Sequence, residues 1–171
     1  MNATTMQTFT GKLVDLAKFT VEDVRLPDIS HALSMINRFT GHSKVPYSVA
    51  QHSVMVSTMC NPENALWGLL HDASEAYLGD MSTPLKTLLP EYRELEEHVQ
   101  NTIAKAFFLS WPIPQDVKIA DLRALMGEKR DIIPCGIDWG VDIEPNCGPV
   151  SPQGWQQSKK MFEDRFKEIM K

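Results

Sequence analysis

Apolar residues recur at helical spacing along most of the chain, and the breaks between them carry helix-start and helix-stop chemistry. The first 27 residues are mixed, with Phe9-Thr10-Gly11-Lys12-Leu13-Val14 reading as a short strand or an extended arm before Pro27 breaks the chain. Ser30 is placed to cap a helix through about Arg38, and Ser48 a second helix to about Met59. Thr40-Gly41-His42-Ser43-Lys44 between them reads as a loop. Asn61-Pro62 joins a capping side chain to a proline at the first helical position. The helix it opens, Pro62 to Leu78, is apolar almost all round, as a central buried helix is, and Gly79 ends it. Thr83-Pro84 restarts a short helix. Pro90 opens a long one to about Phe108, Trp111-Pro112-Ile113-Pro114 is a rigid connector, and a further helix reaches about Ile133. Residues 134–150 are rich in Gly, Pro and Asp and read as a loop, and Ser151-Pro152 begins a last helix running to residue 171. The pattern predicts an all-α protein, a single compact helical bundle over 1–171 with an extended N-terminal arm over 1–27.

Composition narrows this picture. A length of 171 residues with 43% hydrophobic content suits one domain with an ordinary core. The net charge of −5 disfavours a surface for polymeric nucleic acid or anionic membrane, but not a small phosphorylated ligand held by a few local cations. Cys60, Cys135 and Cys147 are widely spaced and form no CxxC pair, so free thiols in a reducing cytosol are expected rather than a zinc ribbon or a disulfide framework. The polar start, Met1 to Thr10, does not resemble a signal peptide, and no stretch is apolar enough to span a bilayer, so a cytoplasmic location is expected.

Several polar residues fall on faces that should be buried. Val49, His52, Val56 and Met59 share one face of the second helix. On the central helix Trp67, His71, Ser74, Glu75 and Leu78 share one side, and Asp72 lies about 100° further round. Glu75 is three residues from Asp72 and four from His71, so all three can converge. Val117, Ala120, Asp121, Ala124 and Leu125 form another stripe, with Asp121 embedded in it. An ionised carboxylate there costs roughly several kcal/mol unless paired. A divalent cation held by His52, His71, Asp72 and Asp121 would pair these charges and leave positions open for water and substrate. Taken singly, each residue has a simpler reading: a hydrogen-bonded core histidine for His52, and a cap or a partner of Lys118 or Arg123 for Asp121.

Together these residues resemble the H…HD…D pattern of the HD-domain metal-dependent phosphohydrolases. Gln51-His52-Ser53 looks like the first-ligand helix of the 5′-deoxynucleotidase branch. The block His71-Asp72-Ala73-Ser74-Glu75-Ala76-Tyr77-Leu78-Gly79-Asp80-Met81-Ser82-Thr83-Pro84-Leu85-Lys86 is similar to that branch's HDASE…GD…TP.K run. Asn37-Arg38-Phe39 resembles its arginine–aromatic pair, and Lys118-Ile119-Ala120-Asp121 its fourth-ligand helix, with Asp116 and Asp131 as neighbouring alternatives. The likeness runs over residues 9 to 126, and its stretch from Asp28 to Lys86 looks like the compact phage members, which include dATP triphosphohydrolases of phages that replace adenine by 2-aminoadenine. The chain is shorter than the bacterial deoxynucleotidases and carries Phe39 where they have tryptophan.

The resemblance implies an HD-domain bundle that hydrolyses deoxynucleotide phosphates with a divalent metal (Co, Mn, Zn or Mg) and works as a homo-oligomer. It makes Asp72 and Glu75 the catalytic carboxylates, with Glu75 acting on a water or a leaving group. Arg38 would grip a phosphate bidentately, Lys86 would add charge at a helix start, and His42 would touch phosphate from its loop. Asp80 would fix Arg38 or a sugar hydroxyl, while Phe39 and Pro84 would wall the base or sugar. Phage-like compactness favours a dNTP, dATP first, over a 5′-deoxynucleotidase acting on dNMPs. A non-catalytic nucleotide-binding regulatory module and a purely structural adaptor are the rival classes. No P-loop, G-x-G-x-x-G or serine-nucleophile motif is present. After Asp72 the one remaining histidine is His98, among Glu94, Glu96 and Glu97, too few for a second metal's own ligands.

Overall fold

The computed structural model describes residues 3–134 and 136–171 and is mostly helical. The arm is a small hairpin rather than one strand. Strands β1 (Thr5–Gln7) and β2 (Leu13–Asp15) pair antiparallel with Met6 opposite Val14. Phe9 to Lys12, expected as strand, form the turn between them, where Gly11 takes φ +82° and Thr8 N donates to Lys12 O at 2.9 Å. Asp28 ties the turn down by accepting from Thr10 N at 2.6 Å and from its hydroxyl at 3.0 Å.

Helix α1 covers Leu26–Met35. Pro27 starts this helix instead of breaking the chain, because a first-turn proline gives up no intrahelical donor. Ser30 is therefore inside the helix, and its hydroxyl bonds Pro27 O and Glu163 rather than capping. The helix ends before Asn37, which forms an isolated antiparallel bridge with Ser48, and Arg38 N donates to Tyr47 O at 2.9 Å. Helix α2 (Val49–Met59) is capped as expected, Ser48 Oγ accepting from Gln51 N at 3.2 Å.

The continuous helix expected over 62–78 is divided. A 3-10 turn at Pro62–Asn64 leads into α3 (Ala65–Leu70), and α4 (Glu75–Leu78) follows a tightened passage. Through that passage Ala73, Glu75, Ala76 and Tyr77 donate to carbonyls three residues back, at 3.0–3.2 Å. An all-round apolar pattern reports burial and cannot register this change of pitch. Helices α5 (Thr83–Leu88), α6 (Pro90–Ala106) and α7 (Gln115–Ile132) follow their start signals. The last helix, α8 (Trp155–Ile169), begins four residues later than expected, since Ser151–Gly154 form an extended approach in which Ser151 O accepts from Gln51 Nε2.

Helix α2 is central, packed against α1, α3, α7 and α8. One apolar cluster joins Ile29, Leu33, Val49, Leu69, Leu70, Ile103 and Phe162, and a second joins Val56, Trp67, Val117, Ala120 and Ala124. Gly68 permits the close approach of α3 to α2: a Cβ there would lie 2.7 Å from Cys60 Sγ and 2.8 Å from Ser57 Cα. Cys60 and Cys147 are free thiols, while Cys135 lies outside the described residues. No helix among the described residues is long and apolar enough to cross a membrane.

Candidate metal centre

Helix α2 and the passage between α3 and α4 direct both inward histidines to one point. Nε2 of His52 and Nε2 of His71 are 3.2 Å apart, and Asp72 Oδ2 lies 3.2 Å from His71 and 3.6 Å from His52. His52, His71 and Asp72 thus offer three ligand atoms all within 4.8 Å of one another. Ligands about 2.0–2.1 Å from one zinc-sized ion stand roughly 3.0–3.4 Å from each other, so the spacing suits a single divalent cation.

Each imidazole is oriented by its other nitrogen. His71 Nδ1 donates to Gly68 O at 2.8 Å, and His52 Nδ1 faces Glu128 Oε1 at 2.7 Å. Both arrangements leave Nε2 directed at the centre, the usual setting of a metal-binding histidine. Glu128 is fully buried on α7 and its Oε2 also accepts from Arg38 Nε at 3.1 Å and pairs with Nη2 at 3.0 Å. Glu128 lies outside the stripe that singles out Asp121 in the sequence. It stands seven residues beyond Asp121, on the same helical face, so extending that stripe along α7 reaches it.

Asp121 joins the group from its edge. Its Oδ1 is 3.1 Å from His52 Nε2 but 3.9 Å from His71, and its side chain is 41% exposed at the cavity mouth rather than embedded. Burial works against its ionised form, but the His52 hydrogen bond and the two histidines outweigh burial and the nearby Asp72 and hold its pKa below the usual value. The alternatives are engaged elsewhere: Asp116 accepts from Asn61 N and Asn64 Nδ2, and Asp131 from Arg130 and Val150 N.

The charges are strongly coupled. Burial and Arg38 push His52 towards the neutral form, yet Glu128 and Asp121 outweigh them and its pKa is raised to about 9. Burial works against ionised Asp72 as well, but His71, His52 and Arg38 hold it well below the usual carboxylate range. Glu75 goes the other way. It is buried, its Oε2 has no hydrogen-bond partner among the described residues, and burial, Asp72 and Asp80 raise its pKa well above normal. Lys86 pairs with Glu96 of α6 and stays 3.9 Å from Glu75.

A cavity of about 670 Å³ opens beside this group, lined by Arg38, Phe39, Asp72, Glu75, Asp80, Pro84, Lys86 and Asp121 among others. Of the residues expected to contact a ligand, His42 alone stays outside, exposed on its loop. The backbone turns it away through three consecutive left-handed residues, Phe39 (φ +58°), Thr40 (+51°) and Gly41 (+80°). For the two that are not glycine this conformation costs about 1–3 kcal/mol each, and it sets the Phe39 ring at the cavity wall. Arg38 is only partly available for a bidentate grip, because its Nε edge is committed to Glu128 while Nη1 faces Asp72 Oδ2 at 3.6 Å. A second cavity, about 360 Å³, meets the other side of His71 and Asp72 and carries Lys86, Arg93 and Lys118.

The fold and the site define a helical protein with two buried histidines and a partly buried aspartate that could hold a metal ion. The chain belongs to the same family as the uncharacterized protein YfdR of Escherichia coli (strain K12), with 42% identity over 96% of this chain and 94% of YfdR. An uncharacterized protein of Rhodobacter capsulatus is 34% identical over 120 residues, 64% of this chain and 61% of its own length. No protein-family model matches the chain.

Proposed function

We propose that the chain is an HD-domain metal-dependent phosphohydrolase acting on deoxynucleotides, with a dNTP such as dATP as substrate, working in the cytoplasm as a homo-oligomer. The observation that carries this reading is the convergence of His52, His71 and Asp72, with Asp121 at the edge, beside the buried and unpartnered Glu75 carboxylate. A bound divalent cation there supplies Lewis-acid polarisation of a phosphoryl oxygen and lowers the pKa of a bound water.

The chain's own residues then have separable roles. His52, His71, Asp72 and Asp121 are the ligands, and Glu128 and Gly68 O hold the two rings in register. Arg38 Nη1 neutralises phosphate charge at the cavity side of Asp72. Glu75, whose carboxyl is pushed above the usual carboxylate range by burial and the Asp72 and Asp80 charges, passes a proton from its carboxyl to the leaving oxygen. Phe39, Pro84 and Asp80 take the sugar and base within a cavity of nucleotide size. The adjoining cavity carries Arg93 and Lys118, but Lys86 there is paired with Glu96 and Glu97 stands beside them, so the choice of a dNTP over a dNMP rests on the resemblance to the compact phage members.

Incubating the protein with dATP and with dAMP, each with Mn²⁺, Co²⁺, Mg²⁺ or Zn²⁺, and identifying the products tests this. Triphosphate released from dATP is expected. Phosphate from dAMP alone would move the assignment to a 5′-deoxynucleotidase. Binding without turnover under every metal would leave a nucleotide-binding regulatory module.

A further inference from the structure

The loop between α7 and α8 contributes one side chain to the cavity that nothing in the motif accounts for. Trp139 lines it together with Phe39, Leu122 and Leu125. The Trp139 and Phe39 rings have centroids 6.3 Å apart and planes inclined by 47°. A flat ring stacked between two aromatic walls needs them roughly 7 Å apart, twice the ordinary ring-to-ring contact of about 3.5 Å. At 6.3 Å and 47° the two rings are in direct tilted contact, so Trp139 has to swing off Phe39 and flatten before one planar ring can enter between them.

The loop is built for such a shift. Its roots are pinned, with Lys44 N donating to Ile132 O at 2.8 Å and Val150 N to Asp131 Oδ2 at 2.7 Å. Between the roots, Trp139 is held by ring contacts: Phe39, and the Lys129 ammonium 5.2 Å from its centroid. Phe39 is the fixed wall, because its backbone is locked in the left-handed run and Arg38 lies 5.2 Å from its ring. Trp139 is thus the wall whose ring can swing.

We propose that Trp139 is a specificity-determining residue of this site, opening off Phe39 to serve as the second aromatic wall on the planar nitrogenous base of a nucleotide whose other face meets Phe39. The proposal rests on the nucleotide reading of the cavity and adds to it the residue that distinguishes a base-bearing ligand from a bare sugar phosphate.

The test uses the full chain, freed of metal so that nothing turns over, titrated calorimetrically with dAMP and with deoxyribose 5-phosphate. Wild type should bind dAMP at least about tenfold more tightly than the sugar phosphate, the scale of one base–aromatic stack. Trp139→Ala should weaken dAMP about ten- to a hundredfold and leave the sugar phosphate unchanged, while Trp139→Phe should stay close to wild type. Unaltered metal uptake by Trp139→Ala shows that the variant is folded around an intact centre. Equal dAMP affinity in wild type and Trp139→Ala, or equal weakening of both ligands, overturns the proposal. If the dAMP difference holds but metal-loaded protein hydrolyses no deoxynucleotide, the phosphohydrolase reading fails and the aromatic wall stands.

Discussion

Nδ1 of His52 and Oε1 of Glu128 lie 2.7 Å apart, and neither side chain is exposed to solvent. A carboxylate in that position fixes the ring, raises its basicity as a ligand, and is itself kept ionised by Arg38. Glu128→Gln should therefore weaken metal affinity by about 10–100-fold without touching the metal. Chelator competition with subsequent metal analysis reads this directly, and unchanged affinity would reduce Glu128 to a packing role.

Metal uptake should release protons. With its pKa raised to about 9, His52 is protonated at neutral pH in the metal-free protein, and a ligand nitrogen must give that proton up. Calorimetric titration with Zn²⁺ in buffers of different ionisation enthalpy should show net release at pH 7 that declines above pH about 9.

The same group sets a stability trend. A histidine whose pKa is raised on folding contributes stability that is complete below its unfolded value, about 6.5, and is lost as pH rises through its folded value. For His52 that window ends at about 9. The Tm of metal-free protein should fall between those limits, and bound metal should suppress the fall. A metal-free Tm that climbs across this range would contradict the assignment of the His52–Glu128–Asp121 cluster.

Glu75 carries an opposite pair of expectations. Its carboxyl is buried with one oxygen unsatisfied, so it is costly to the fold, and the proposed reaction would give it a use. Glu75→Gln should keep the metal, lower kcat by about 10²–10⁴-fold, and raise Tm by about 2–4 °C for each 1 kcal/mol regained. Turnover at the wild-type rate would remove Glu75 from the reaction.

Gly68 links packing to the site. Gly68→Ala forces a Cβ against Ser57 Cα and Cys60 Sγ, at an overpacking cost of about 1–3 kcal/mol. Because the carbonyl of this residue positions His71, metal occupancy should drop along with stability. Thermal denaturation and metal content of the variant, measured together, check the link.

The helical class and the grouping of His52, His71 and Asp72 are legible in the sequence because burial and charge conflict at a few positions. His52 and His71 stand on apolar faces, and the structure turns them toward each other. The features that stay hidden depend on contacts between distant segments. Lys86 reads as a free cation until α6 brings Glu96 to it. Trp139 sits in a stretch without periodicity, so only the folded loop shows it against Phe39. The start of α1 at Leu26 is obscured because Pro27 reads as a break, whereas its place in the first turn makes it a start.

From Ala73 to Tyr77 the backbone bonds mostly three residues back, which gives this stretch a phase to keep. At about three residues per turn, positions three apart eclipse, so Asp72 and Glu75 point the same way, and every inserted residue would rotate the downstream side chains by about 120°. Such a stretch can exchange side chains more readily than it can change length. An insertion or deletion between His71 and Glu75 would aim the carboxyl away from His71 and Asp72. Residues 136–150 have no helical phase to keep, so a change of length there would shift the cavity wall at Trp139 while the centre stays in step.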